Sequence, residues 1–95
     1  MNKYEALFII KPDLGEEDKK TLFNQISDCI VKNEGQVTSA SIWAERKKLF
    51  FPLKRYKEGT YYLVNFNSPG SSLSKINNIY KMNESILRNL IVALE

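Results

Sequence analysis

Apolar residues along this chain keep two different periods, and the order in which those periods succeed one another leaves few folds open. From Tyr4 to Lys11 the period is two, with Tyr4, Ala6, Phe8 and Ile10 on one side and Glu5, Leu7 and Ile9 on the other. Both sides are largely apolar, so this strand is expected inside a sheet rather than at its rim. Pro12 ends it. The turn Asp13-Leu14-Gly15 then delivers Glu16, Glu17 and Asp18, whose negative charge suits the first turn of a helix. Leu22, Phe23, Ile26, Cys29 and Ile30 follow on a single helical stripe, which predicts a helix to about Asn33 with Gly35 as its C-terminal cap.

From Gln36 to about Phe51 the chain is rich in β-branched and aromatic residues, including Val37, Thr38, Ile42, Trp43, Phe50 and Phe51, and reads as one long strand. Pro52 fits an edge or a strand end, because it cannot donate to a ladder. Lys54 to Gly59 reads as a charged turn, and Thr60 to Asn67 resumes the period of two, which makes a hairpin. Ser68-Pro69-Gly70 breaks the strand, Ser71 or Ser72 is placed to cap a helix, and Leu73, Ile76, Ile79 and Tyr80 form its apolar face. Ile86 to Leu94 closes as a fourth strand.

The order βαββαβ is that of the split βαβ, or ferredoxin-like, fold. It predicts an α+β architecture: a four-stranded antiparallel sheet with two helices on one face, the other face being left for partners. Leu22, Ile26, Cys29 and Ile30 should pack with Phe8, Val64 and Ile76 in one core. Ninety-five residues supply one such core, so residues 1–95 are expected to form a single domain.

This fold hosts many functions, so chemistry has to be sought in the residues. There is no histidine, which removes the commonest general base and metal ligand. The single cysteine, Cys29, lies on the apolar stripe of the first helix, where packing explains it, and a lone cysteine agrees with a cytoplasmic protein. No apolar run approaches the roughly 20 residues of a membrane span, and no signal peptide is expected. The four glycines sit singly at turns, so no phosphate-cradling loop is present. Acylphosphatases share the element order and use an arginine in their first loop; here that loop is Lys11-Pro12-Asp13-Leu14-Gly15. Neither an enzyme, a cofactor, a metal nor a small-molecule substrate is expected.

The charge distribution says more than the net charge of +3. Six of the fourteen basic residues, Arg46, Lys47, Lys48, Lys54, Arg55 and Lys57, fall within twelve positions, flanked by Glu45 and Glu58. Interleaved with Phe50, Phe51, Tyr56, Tyr61 and Tyr62, they offer phosphate contacts beside rings on which bases can stack. A solvated hairpin with its rings in the core accounts for the composition equally well. Arg46 and Arg55 suit forked phosphate contacts, and the lysines act as point charges. Phe51 and Tyr56 are candidate RNA or partner contacts, with Phe51 expected to be partly buried. Gly59-Thr60-Tyr61-Tyr62-Leu63 and Leu7-Phe8-Ile9 partly match the RNA-recognition motif, but Glu58, Thr60 and Lys11 stand where that motif has a basic residue, an aromatic and an asparagine.

Four segments resemble the S-six family of bacterial ribosomal proteins, over essentially the whole chain: Tyr4-Glu5 before an apolar strand ending near Pro12, Gly35 after the first helix, Trp43 through Gly59-Thr60-Tyr61, and Asn83-Glu84-Ser85-Ile86-Leu87-Arg88. The third is the most specific: a tryptophan, basic residues, and then Leu49-Phe50-Phe51-Pro52-Leu53, where the family shows Leu-Ala-Tyr-Pro-Ile. The resemblance implies a structural protein of the small ribosomal subunit that binds the central domain of its RNA beside ribosomal protein S-eighteen. It maps RNA contacts onto Lys3, the basic hairpin residues and Arg88. A free-standing single-stranded RNA binder of the RNA-recognition type is the alternative.

Overall fold

The computed structural model describes residues 1–94; Glu95, the last position of the expected 1–95 domain, lies outside the described residues. The elements run β1 (Asn2–Ile10), α1 (Glu16–Lys32), β2 (Gln36–Leu53), β3 (Tyr56–Ser68), a short 3-10 turn (Gly70–Ser72), α2 (Leu73–Lys81) and β4 (Ile86–Leu94). The strands form one sheet in the order β2-β3-β1-β4, and the three neighbouring pairs are antiparallel. β1 is therefore interior, as its two apolar sides require.

The period of two decides which side of the sheet each residue serves. Tyr4, Ala6, Phe8 and Ile10 of β1, with Tyr62, Val64 and Phe66 of β3, are buried on the side that α1 and α2 cover. Leu22, Ile26, Cys29 and Ile30 meet them from α1, and Ile76 and Tyr80 from α2. The Tyr80 ring stands edge-on to Phe8 at 4.8 Å, and its hydroxyl donates to the Ile26 carbonyl at 2.7 Å. A buried phenol is satisfied in this way, and the bond ties the two helices together. Phe23 lies flat on Tyr62 at 4.0 Å. Burial pushes the Cys29 thiol up from its ordinary pKa, in keeping with a packing residue.

Three local expectations need correction. Gly35 is not the left-handed residue that ends α1; that residue is Glu34, with φ of 70°. Gly35 is required by space, because a Cβ there would stand 2.6 Å from the Ile30 Cγ2 and 2.8 Å from the Asn67 carbonyl. Neither Ser71 nor Ser72 caps α2 through its side chain. Ser72 already has helical φ and ψ because the 3-10 turn runs straight into the helix, whereas a capping residue needs extended backbone. The charged turn is also shorter than Lys54 to Gly59: only Lys54 and Arg55 separate β2 from β3, and Tyr56 to Gly59 belong to the strand.

Candidate nucleic-acid interface

The β2–β3 hairpin outgrows the sheet that supports it. β1 pairs with β3 only as far as Ile10 opposite Thr60, so Tyr56–Gly59 and the β2 residues facing them extend with no third strand beside them. Gly59 marks the departure point, where a Cβ would stand 2.6 Å from the Ile9 Cγ2 as β3 crosses the end of β1. The sequence pattern around Gly59-Thr60-Tyr61 thus has a packing cause.

The β2–β3 ladder is irregular on both sides of that point. Register breaks fall between Val37 and Ser39 and between Ile42 and Ala44 beside the sheet, and between Ala44 and Lys47 and between Lys48 and Leu53 toward the arm. Each inserted residue re-aims its neighbours, as bulges do. Arg46 sits in one of them with φ of 48°, and Lys54 and Arg55 turn the hairpin with φ of 47° and 74°. Two-residue hairpin turns favour positive φ at both positions, normally supplied by asparagine and glycine. Here two cations adopt it, at a cost of about 1 kcal/mol each, and they occupy the extreme end of the arm.

The aromatic residues divide. Tyr62 belongs to the core, whereas Phe50 and Phe51 are 101% and 78% exposed, so the expected partial burial of Phe51 is not found. The physical reason is the break between Lys48 and Leu53, which removes the alternation that would turn one ring inward, on an arm that has no layer beneath it. Trp43 and Tyr61 lie 5.6 Å apart, and the Lys47 ammonium stands over both rings, at 4.9 and 5.6 Å. Composition alone does not reveal this trio, because the bulge that gathers it is invisible in the sequence; the signal available was Trp43 opening a basic run.

Two contacts fix the arm to the body. The Tyr56 hydroxyl donates to the Asp13 Oδ2 at 3.2 Å, and the Lys19 ammonium binds Glu45 at 2.9 Å and Glu16 at 3.5 Å. The Glu45 hydrogen bond is the main cause of a raised Lys19 pKa. Both salt bridges among the described residues belong to Lys19. Arg46, Lys47, Lys48, Lys54, Arg55 and Lys57 are exposed, with no carboxylate among those residues paired to them.

The other candidates separate in space. Arg88 is exposed and lies opposite Ile9, which in turn faces Tyr61, so it occupies the same cross-sheet row as the root of the arm. Lys3 pairs with Asn67 and Leu94 at the far end of the sheet, about 20 Å away along β1. Between them, the sheet face without helices carries a groove of about 380 Å³ lined by Glu5, Leu7, Trp43, Leu63, Leu90 and Val92. Among the described residues no cluster of histidine, cysteine or carboxylates has the geometry to hold a metal.

A sequence model described as ribosomal protein S6 matches residues 3–93. The chain belongs to the ribosomal protein S6 family. It is 37% identical to the small ribosomal subunit protein bS6 of Clostridium acetobutylicum, with 100% of this chain and 99% of that one covered. To the bS6 of Dictyoglomus turgidum it is 38% identical, with 100% and 97% covered. The crystal structure of 30S ribosomal protein S6 from Thermotoga maritima superposes with a TM-score of 0.89, covering 98% of this chain and 87% of that one at 24% identity, which bears on the fold. S6 proteins are structural constituents of the small ribosomal subunit rather than an enzyme family.

Proposed function

We propose that this chain acts as a single, non-catalytic RNA-binding domain, which holds the central domain of small-subunit ribosomal RNA beside ribosomal protein S-eighteen in the cytoplasm. It needs no cofactor, metal or small-molecule substrate in this role. The observation that carries the reading is the projecting arm: six exposed cations with no carboxylate paired to them among the described residues, set among exposed rings. An array of like charges gains most from a polyanion, since each phosphate neutralised releases condensed counterions. Arg46, Lys47, Lys48, Lys54, Arg55 and Lys57 form the footprint, with Arg88 in the adjoining row and Lys3 as an outlying contact. Phe50, Phe51 and Trp43 supply faces for bases or for the neighbouring protein. Support for a protein neighbour comes from the groove on the sheet face without helices, where Leu7, Leu63, Leu90 and Val92 make a largely aliphatic lining that Trp43 and Glu5 complete.

A salt titration on the central-domain RNA, with S-eighteen present, tests this. Replacing Arg46, Lys47 and Lys48 with alanine should flatten the slope of log affinity against log salt by about two units while leaving sequence preference unchanged. An unchanged slope would move the footprint to Lys3, Lys54, Arg55 and Arg88. Tight binding of short single strands without S-eighteen would favour a free-standing RNA binder instead.

A further inference from the structure

The last register break on the arm is larger than the others, and it carries the two most exposed rings of the protein. Lys48 faces Glu58 and Leu53 faces Tyr56, so four residues of β2, Leu49 to Pro52, stand opposite one residue of β3, Lys57. A surplus of that size cannot lie flat in the ladder. Leu49 and Leu53 hold its two ends: both are half-buried, and a Cβ on Gly59 would stand 3.6 Å from the Leu49 Cδ2. Between these anchors Phe50-Phe51-Pro52 stands in solvent, and Pro52 brings no N–H that a ladder would have to satisfy. The fold gives Phe50 no cover at all, and Phe51 little.

The surroundings of the two rings select their partner. From Arg46 to Glu58 there are six cations and one acid, and no carboxylate among the described residues is paired to any of the six. A nucleotide joins a phosphate and a flat apolar face in one repeating unit, which is the chemistry that fits cations and rings set along one arm. Bases inside an RNA duplex already stack on one another, and its deep major groove is too narrow for side chains. Only a nucleotide outside the helix has a face to offer. A bilayer fits less well, because Lys54 and Arg55 turn the hairpin beyond the rings and would have to enter the hydrocarbon ahead of them.

We propose that Phe50 and Phe51 form a stacking platform for unpaired bases, so that the arm selects RNA in which a nucleotide stands outside a helix. This rests on the RNA reading of the arm and adds a preference that cations alone do not give. Every base has a face to stack, so the selection is for an unpaired nucleotide and not for its identity.

The probe is a short RNA duplex carrying one bulged 2-aminopurine, titrated with the full chain at low salt, against the same duplex with that base paired. The bulged duplex should bind about tenfold more tightly, with the fluorescence of the bulged base quenched on binding. Phe50→Leu combined with Phe51→Leu keeps the bulge apolar but removes its flat faces, and should abolish both the preference and the quench. Tryptophan at both positions should retain them. The slope of log affinity against log salt should be the same for the wild type and the leucine variant, since the cations are intact. Equal affinity of the wild type for the two duplexes, or a leucine variant that keeps the preference, would overturn the proposal and leave the cations as the footprint. Binding to neither duplex would overturn it together with the RNA reading. Phenylalanine-dependent sedimentation with phosphatidylglycerol vesicles, without a preference between the duplexes, would assign the rings to lipid instead.

Discussion

The base and the tip of the β2–β3 hairpin are one continuous ribbon governed by different physics. At the base, Thr60 to Ser68 lie between β2 and β1 with α1 and α2 beneath them, and burial alternates residue by residue. At the tip, Lys57 and Glu58 are both exposed, the ladder slips, and backbone geometry rather than burial decides where each side chain goes. A one-residue slip at the base would move Tyr62, Val64 and Phe66 out of the core, whereas a slip at the tip moves a cation from one solvated position to another. β3 keeps an unbroken register with β1 where it excludes water, whereas β2, exposed along most of the sheet's edge, shifts register at the base as well as at the tip.

The sharpest way to break this contrast is to empty the core under the base. Ile26→Ala removes a side chain that is 1% exposed and should cost about 2–5 kcal/mol in urea unfolding. Wild-type stability would mean that α1 does not rest on the sheet as described.

A smaller effect comes from titrating the same region. Burial raises the Tyr80 pKa far above its ordinary value of 10.0, with nearby Cys29 adding to the rise, so the neutral ring is the form the fold holds. Its contribution is fully present below the unfolded-state pKa and is lost as pH rises beyond it, by about 1.4 kcal/mol for each unit above roughly pH 10. Burial also raises the Tyr62 pKa and adds to the loss. Unfolding curves of the wild type and Tyr80→Phe at pH 9 and above should show the variant with the shallower decline. Equal slopes would mean that Tyr80 is not enclosed.

The smallest expected effect belongs to the tip. Phe51→Ala should change stability by no more than about 0.5 kcal/mol, because the ring is already in water, and it should weaken binding to RNA with S-eighteen present. A larger loss of stability would place the ring against the body of the protein.

The same contrast explains what could be read from the sequence. Tyr4, Ala6, Phe8, Ile10, Leu22, Ile26, Cys29, Ile30, Val64 and Ile76 are found in the core as their spacing predicts, because burial imposes a period and a period can be recognised. The element order was legible for the same reason. At the arm nothing imposes a period, so the turn was drawn too long, Phe51 was expected to be partly buried, and the grouping of Trp43, Tyr61 and Lys47 went unseen. Gly35 was assigned the conformation that Glu34 adopts, because crowding by Ile30 and the Asn67 carbonyl is a long-range fact with no local signature. The six cations lie on the exposed hairpin that their spacing in the sequence suggests; the row shared by Arg88 and the arm, and the separation of Lys3 from it, follow from the strand order.

The position of β1 between β3 and β4 has a consequence for how the chain is born. Lys3 must find Leu94, so the first of the four strands gains its second neighbour from the fourth. Until β4 has emerged, β1 has one bare flank with Leu7 and Ile9 along it, and loop closure spans nearly the whole chain. Folding of this domain therefore cannot finish until β4 is available to pair. The interval leaves a half-built sheet with an open apolar rim, the species most exposed to wrong pairing and most in need of rapid completion or a chaperone.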